Sequence, residues 1–177
     1  MSLAGCVSFA PLSAELAERL AEQAQPCSPF RQRAQVEMEG YGLFEAVLVA
    51  DGASSRARLQ LLPEVGGKML DLAIAPERID GYMPPAGIAL THVRHARLAP
   101  PRHLLAFIAA SVLEAITPIT SERVLGERAI AGGSELHLRP ALEGLEVTAQ
   151  VDKEGRLLAR EYRLRGVRWR ERIHGEM

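Results

Sequence analysis

The chain has 177 residues, enough for one domain with a single sizeable core. Its 21 Lys+Arg against 22 Asp+Glu leave a formal charge of -1, without the basic excess that nucleic-acid binding normally demands. No apolar run reaches the ~18 residues of a membrane-spanning helix. Cys6 and Cys27 are too few for a disulfide scaffold and lack metal-ligand spacing. No metal or cofactor is expected.

The first predicted element is a helix over Leu12 to Gln25. Leu12, Leu16 and Leu20 repeat at i+4, and Glu15, Glu18, Arg19 and Glu22 fill the other face. Pro26 ends it. Strands follow. Arg33 to Glu39 sets Ala34, Val36 and Met38 against Gln35, Glu37 and Glu39. Leu43 to Ala50 is almost wholly apolar, the pattern of a strand covered on both faces. Asp51-Gly52 signals a hairpin. Arg56 to Leu62 alternates again, and Lys68 to Ala75 is the next strand after a Gly66-Gly67 turn. The short connections predict an antiparallel meander.

Ile79 to Gly87 reads as an unusually apolar loop, and Ile88 to Arg97 as another strand. Pro100-Pro101 then opens a helix over Arg102 to Ile116, with Leu104, Leu105, Ile108, Val112 and Ile116 as its buried stripe. The last third returns to strands: Arg123 to Ile130, Glu135 to Arg139, Leu145 to Val151 and Leu158 to Leu164, with a turn at Asp152 to Gly155. The arginine-rich tail, Val167 to Met177, is expected to be an edge strand guarded by charge, or a face for anionic lipid headgroups. The fold class is α+β. Residues 1–10 are expected to be a linker and residues 11–177 one domain.

Catalytic chemistry is thin. His92 and His95 would point to opposite faces of a strand, and arginines surround them and His103, so solvated surface histidines are the better reading than a zinc site. Gly132-Gly133-Ser134 lacks a nucleophile elbow, and Gly66-Gly67-Lys68 lacks the full phosphate-loop pattern. Asp71 and Asp80 lie near apolar segments, and Met69-Leu70-Asp71-Leu72 puts the first of them inside a strand. Alternation lets it face solvent, and a catalytic role would need a cleft that also holds a histidine. Cys27, flanked by Pro26 and Pro29, has nothing near it in sequence to activate its thiol.

Leu3-Ala4-Gly5-Cys6 resembles a bacterial lipobox, in which small residues precede a cysteine whose thiol receives a diacylglyceryl group. A complete export signal also has a basic start and an apolar stretch. Both are expected upstream of Leu3. The alternative is a chance match at the start of a cytosolic protein. Val7, where an aspartate would retain such a lipoprotein at the inner membrane, implies sorting to the outer membrane. A lipid on Cys6 would anchor the domain there, on the periplasmic face, without a spanning helix.

The order of lipobox, short helix, strand meander, central helix and final strands resembles the lipoprotein carrier and receptor superfamily of the LolA/LolB type. The similar segments are Arg33-Ala34-Gln35-Val36-Glu37-Met38, Leu59-Gln60-Leu61-Leu62 with Gly66-Gly67-Lys68-Met69-Leu70-Asp71-Leu72, and Gly155 to Tyr162. The resemblance implies a strongly curved antiparallel sheet, an unclosed half-barrel, covered by helices over an apolar cavity. It implies binding or transfer of an acyl chain or lipoprotein lipid, not catalysis. Strand alternation would place Val36, Met38, Phe44, Leu59, Leu61 and Met69 in that cavity, with Leu72, Leu136, Val147, Leu158 and Tyr162. A helical lid would add Leu105, Phe107, Ile108 and Val112. Tyr82 and Met83 would form a membrane-touching protrusion. Two alternatives stay open: a small enzyme acting on an acyl or aromatic acid, and a structural envelope lipoprotein without a ligand.

Overall fold

The structure, a computed structural model, describes residues 9–23, 30–40, 42–51, 56–75, 78–84, 87–93, 108, 111–112, 114–115, 117–140, 144–164 and 167–176. Helix α1 is Ala14–Gln23. Six strands follow as a meander: β1 Phe30–Met38, β2 Gly42–Asp51, β3 Arg56–Pro63, β4 Leu70–Ile74, β5 Arg78–Met83 and β6 Ile88–Val93. A second meander comprises β7 Val124–Ile130, β8 Gly133–Leu138, β9 Glu146–Asp152, β10 Leu157–Leu164 and β11 Val167–Glu176. They form one antiparallel sheet of order β6-β5-β4-β3-β2-β1-β11-β10-β9-β8-β7.

The two meanders meet where the last strand pairs with the first. Val36 lies opposite Glu171 and Met38 opposite Trp169. The arginine-rich tail is therefore not an edge strand: β11 is central, bonded to β1 on one side and β10 on the other. Its outward arginines are matched by neighbours. Arg168 donates to Glu161 at 2.8 Å, Arg170 does so at 2.9 Å, and Arg163 adds a bond at 2.7 Å. Burial alone would raise the Glu161 carboxyl, but these three guanidiniums outweigh it and hold the group below its usual value.

Alternation decides which face is buried. Leu59 and Leu61 of β3, Leu70, Leu72 and Ile74 of β4, Leu136 and Leu138 of β8, and Val147, Ala149 and Val151 of β9 all point one way. These residues, with Leu16 and Leu20 of α1, form one core cluster. Strands far apart in the sheet share a single interior, so the sheet wraps around it. β2 is only partly covered on its second face: Val47 is buried, but Leu43 and Val49 are exposed. Among the described residues no pairing joins β6 to β7, so the sheet stays unclosed.

The N-terminal segment covers one free edge. Ala10 pairs with Glu127 of β7 through bonds of 2.8 and 2.7 Å. The Glu127 side chain accepts from the Ser13 amide at 2.8 Å, just before α1 begins. At the other end of the molecule's helix contact, Gly155 has φ +80° in the β9–β10 turn, and a Cβ there would lie 3.2 Å from that of Arg19. Glycine thus serves both the turn and the approach of α1.

Two expectations change here. The apolar segment Ile79 to Gly87 is not a loop over its first half, because residues 79–83 belong to β5; Asp80 pairs with Ala73 and Tyr82 with Asp71. The expected cover of helices is also smaller. Among the described residues α1 is the one α-helix with a defined span. Of the helix expected over Arg102 to Ile116, residues Ile108, Ser111, Val112, Glu114 and Ala115 are helical and buried, and the rest of that span lies outside the described residues.

Candidate functional site

The described helical residues near Ala115 sit over the middle of the sheet's buried face. There, Ala34 of β1, Ala46 and Leu48 of β2, and Leu59 of β3 face Ser111, Val112 and Ala115 across a narrow hollow. Gln32, Trp169 and Glu171 complete its wall. The three alanines leave space that larger side chains would fill. The space is narrow, on the order of one water molecule.

Beside this hollow the interior is charged, which an acyl-chain cavity does not require. Arg160 and Glu171, each 6% exposed, are direct register partners on β10 and β11. Arg160 Nη1 donates to the Glu114 carbonyl at 3.1 Å, tying the sheet to the helical segment. The Glu114 carboxylate pairs with Arg123, which also donates to the Pro118 and Arg139 carbonyls at 3.2 and 3.1 Å. Tyr162 donates its phenol to Glu171 Oε1 at 2.9 Å. Burial pushes the Glu171 carboxyl up, against the pull of Arg160 and the Tyr162 bond. Burial likewise drives the Tyr162 phenol well above its ordinary value, and the neighbouring Glu171 adds to the shift.

Two buried donors in this region have no partner among the described residues: the Trp169 indole N–H and Arg160 Nε. Each such orphan costs about 1–3 kcal/mol. The chemistry on offer is therefore an apolar seam with a donor-rich, charge-balanced end.

The expected cavity residues divide in four. Leu59 and Val112 do line the hollow. Val36, Met38, Phe44, Leu61, Leu72, Leu136, Val147, Tyr162 and Ile108 lie in the core cluster, away from its wall, and Met69 packs partly buried against that cluster. Leu158 faces outward at 46% exposure. A register shift between Leu157 and Ala159 explains this correction: the bulge sends Leu157 to the core and its neighbour to the surface. Leu105, Phe107 and Cys6 lie outside the described residues. Tyr82 is 49% exposed, while Met83 packs against the core, so the two do not protrude together.

Sequence reasoning missed Gln32, Ser111, Trp169 and Glu171. Trp169 was detectable as the only tryptophan. Trp169 and Glu171 also alternate with Arg168, Arg170 and Arg172, which marks a two-faced strand. Asp71 lies on the opposite, outer face of the sheet. Arg58 grips it with two bonds of 2.8 Å, and Lys68 adds a third of 2.8 Å. The Arg58 bonds, with Lys68, hold its carboxyl far below the usual carboxylate range. Among the described residues no group of three His, Cys, Asp or Glu side chains could hold a metal.

No protein-family model matches the sequence, and comparison with curated proteins gives no match. Solved structures similar to the chain include a LolA superfamily protein from Nitrosomonas europaea, at 9% identity and TM-score 0.44 over 91% of this chain and 90% of that one. An uncharacterized conserved protein from Thermus thermophilus matches at 13% identity and TM-score 0.47 over 92% and 83%. LprF from Mycobacterium bovis matches at 8% identity and TM-score 0.42 over 96% and 95%.

Proposed function

We propose that the protein binds a hydrophobic ligand, an acyl chain or a lipoprotein lipid, in the seam between the buried sheet face and the helical residues around Ala115, without catalysing a reaction. The observation that carries this is the hollow walled by Ala34, Ala46, Leu48, Leu59, Val112 and Ala115. Apolar burial supplies the driving force, ~0.8 kcal/mol per methylene. A chain longer than the hollow requires the helical residues to part from the sheet. In this reading Cys6 carries a lipid that anchors the domain to the periplasmic face of the bacterial outer membrane.

Native mass spectrometry of the purified protein, with and without a fluorescent acyl probe, tests the binding. The expected result is a bound acyl species that Ala46→Leu or Ala115→Leu displaces while circular dichroism stays unchanged. Absence of both co-purified lipid and probe uptake sinks the reading. Metabolic labelling of the full gene with a palmitate analogue tests the anchor, and a label that survives Cys6→Ala rejects it.

The narrowness of the hollow favours a second reading, a structural envelope lipoprotein without a ligand. A folded protein that takes up no probe is its signature. A cavity holding Asp71 together with a histidine would favour the enzyme reading, and that side chain is held by Arg58 and Lys68 on the outer face.

A further inference from the structure

The outer face of the sheet neutralises some of its cations and leaves others bare. Glu161 takes bonds from Arg163, Arg168 and Arg170, and Asp71 takes them from Arg58 and Lys68. Arg172, two residues farther along β11, is not served in this way. It is exposed, as is Arg31 of β1, and neither makes an ion pair among the described residues. Arg33 reaches only Glu45, at 3.8 Å.

These three arginines lie together. Arg31 and Arg33 are two residues apart and share the outward face of β1, and Arg172 pairs with Gln35, the next outward position. The outward carboxylates of β2, Glu45 and Asp51, offset only part of the charge, because Asp51 lies opposite a further arginine, Arg56. Exposed aliphatic side chains bracket the cluster. Val49, the register partner of Arg31, is 47% exposed. Leu158, 46% exposed, directly precedes Ala159, the register partner of Arg172. The four neighbouring strands β2, β1, β11 and β10 thus carry an apolar–cationic–apolar band about 14 Å across.

That mixture narrows the partner. A free phosphate or an acidic peptide would use the arginines and leave Val49 and Leu158 in water. A bilayer with anionic headgroups offers phosphates to the cations and an apolar layer just beneath to the aliphatic side chains. The sheet wraps around its core, so its outer face is convex and meets a flat surface along a band rather than over its whole area.

We propose that this band is a contact surface for a bilayer of anionic phospholipid, with Arg31, Arg33 and Arg172 on the phosphates and Val49 and Leu158 pressed between headgroups. The contact depends neither on the hollow nor on a lipid at Cys6, and it would set which face of the domain lies against the membrane.

The test uses the full chain with Cys6→Ala, which removes any anchor. Flotation with phosphatidylcholine vesicles, with and without phosphatidylglycerol, reads the binding. Retention is expected only with phosphatidylglycerol and should fall as salt is raised. Arg31→Gln, Arg33→Gln and Arg172→Gln should each weaken it about fivefold. Val49→Ser with Leu158→Ser should weaken it too, whereas Arg139→Gln, an exposed arginine just beyond β8, should leave it unchanged. Equal retention on both vesicles, no loss in the three arginine variants, or an equal loss in Arg139→Gln overturns the proposal. Full competition by inorganic phosphate, or binding to polyglutamate as tight as to the vesicles with no effect of the serine substitutions, assigns the arginines to another partner and overturns it as well. Should a variant lose its circular dichroism, the two-vesicle comparison and the salt series on the Cys6→Ala chain still decide.

Discussion

Tyr162 donates its phenol to Glu171 at 2.9 Å, inside a sheet face otherwise built mainly from aliphatic side chains. The two residues sit on neighbouring strands, since Tyr162 lies opposite Trp169 and Glu171 lies opposite Arg160. Removing the hydroxyl leaves a buried carboxylate short of a donor. Tyr162→Phe is therefore expected to cost about 1–3 kcal/mol in denaturant unfolding. A loss indistinguishable from zero would mean that the bond contributes nothing net.

The same burial should be visible by titration. The Tyr162 phenol is pushed well above its ordinary value by burial, so in the folded chain it should ionise later than exposed tyrosines do. Phenolate absorbance should show a tyrosine fraction that titrates after the rest and is released on unfolding. That protected fraction should vanish in Tyr162→Phe. Full ionisation of the folded wild-type protein would contradict the burial.

Arg160 and Glu171 make a second test, one of charge balance. Arg160→Met strands the Glu171 carboxylate in the interior and should cost about 3–5 kcal/mol. Adding Glu171→Leu removes the stranded charge, so the double variant should recover most of that loss. A double variant as unstable as the sum of both single losses would mean that the charges act independently. The pH dependence follows from the raised Glu171 carboxyl. The folded state holds that proton more tightly than the unfolded chain does. Stability therefore falls as pH rises from about 4.3 through the raised value, and Glu171→Gln should flatten that part of the profile.

The strands of this fold were legible because alternation is local. Ala34, Val36 and Met38 announce the inner face of β1 whatever they pair with. The partner of that strand was not legible. β11 reaches β1 from the far end of the chain, and no short-range pattern distinguishes a central arginine-rich strand from an edge one. In its central place its Arg168 and Arg170 are neutralised by Glu161 from the next strand. Leu158 failed for a similar reason. A bulge changes the inside-outside phase without changing composition. The polar end of the site was hidden because Gln32, Arg160 and Glu171 look like surface residues when read singly. Their inward positions follow only from which neighbours share their strand face.

Gly133 tests the β8–β9 pairing. It lies opposite Asp152, and a Cβ there would overlap the Val151 carbonyl and come within 2.8 Å of the Asp152 Cα. Both obstacles are backbone, so they cannot rotate away. Gly133→Ala should destabilise by about 1–3 kcal/mol, the usual range for overpacking. Wild-type stability in that variant would mean that the hairpin approaches less closely than described.

The outer face offers the opposite pH signature. Asp71 binds Arg58, Lys68 and, at 3.2 Å, Gln60, and its carboxyl lies far below the usual range. A depressed carboxyl adds stability that is complete above its unfolded value, about 3.9, and is lost as the pH falls from there toward the folded value. Solvent screens the exposed partners, so the contribution at neutral pH should be modest, about 1 kcal/mol. Asp71→Asn is expected to lose that amount at pH 7, to lose nothing more below pH 4 through this group, and to leave acyl-probe binding unchanged, because the cluster lies across the sheet from the hollow. Thermal unfolding across an acid series, run alongside the probe assay, reads all three. Loss of probe binding in a folded Asp71→Asn protein would show that the two faces are coupled and would reopen a role for this carboxylate.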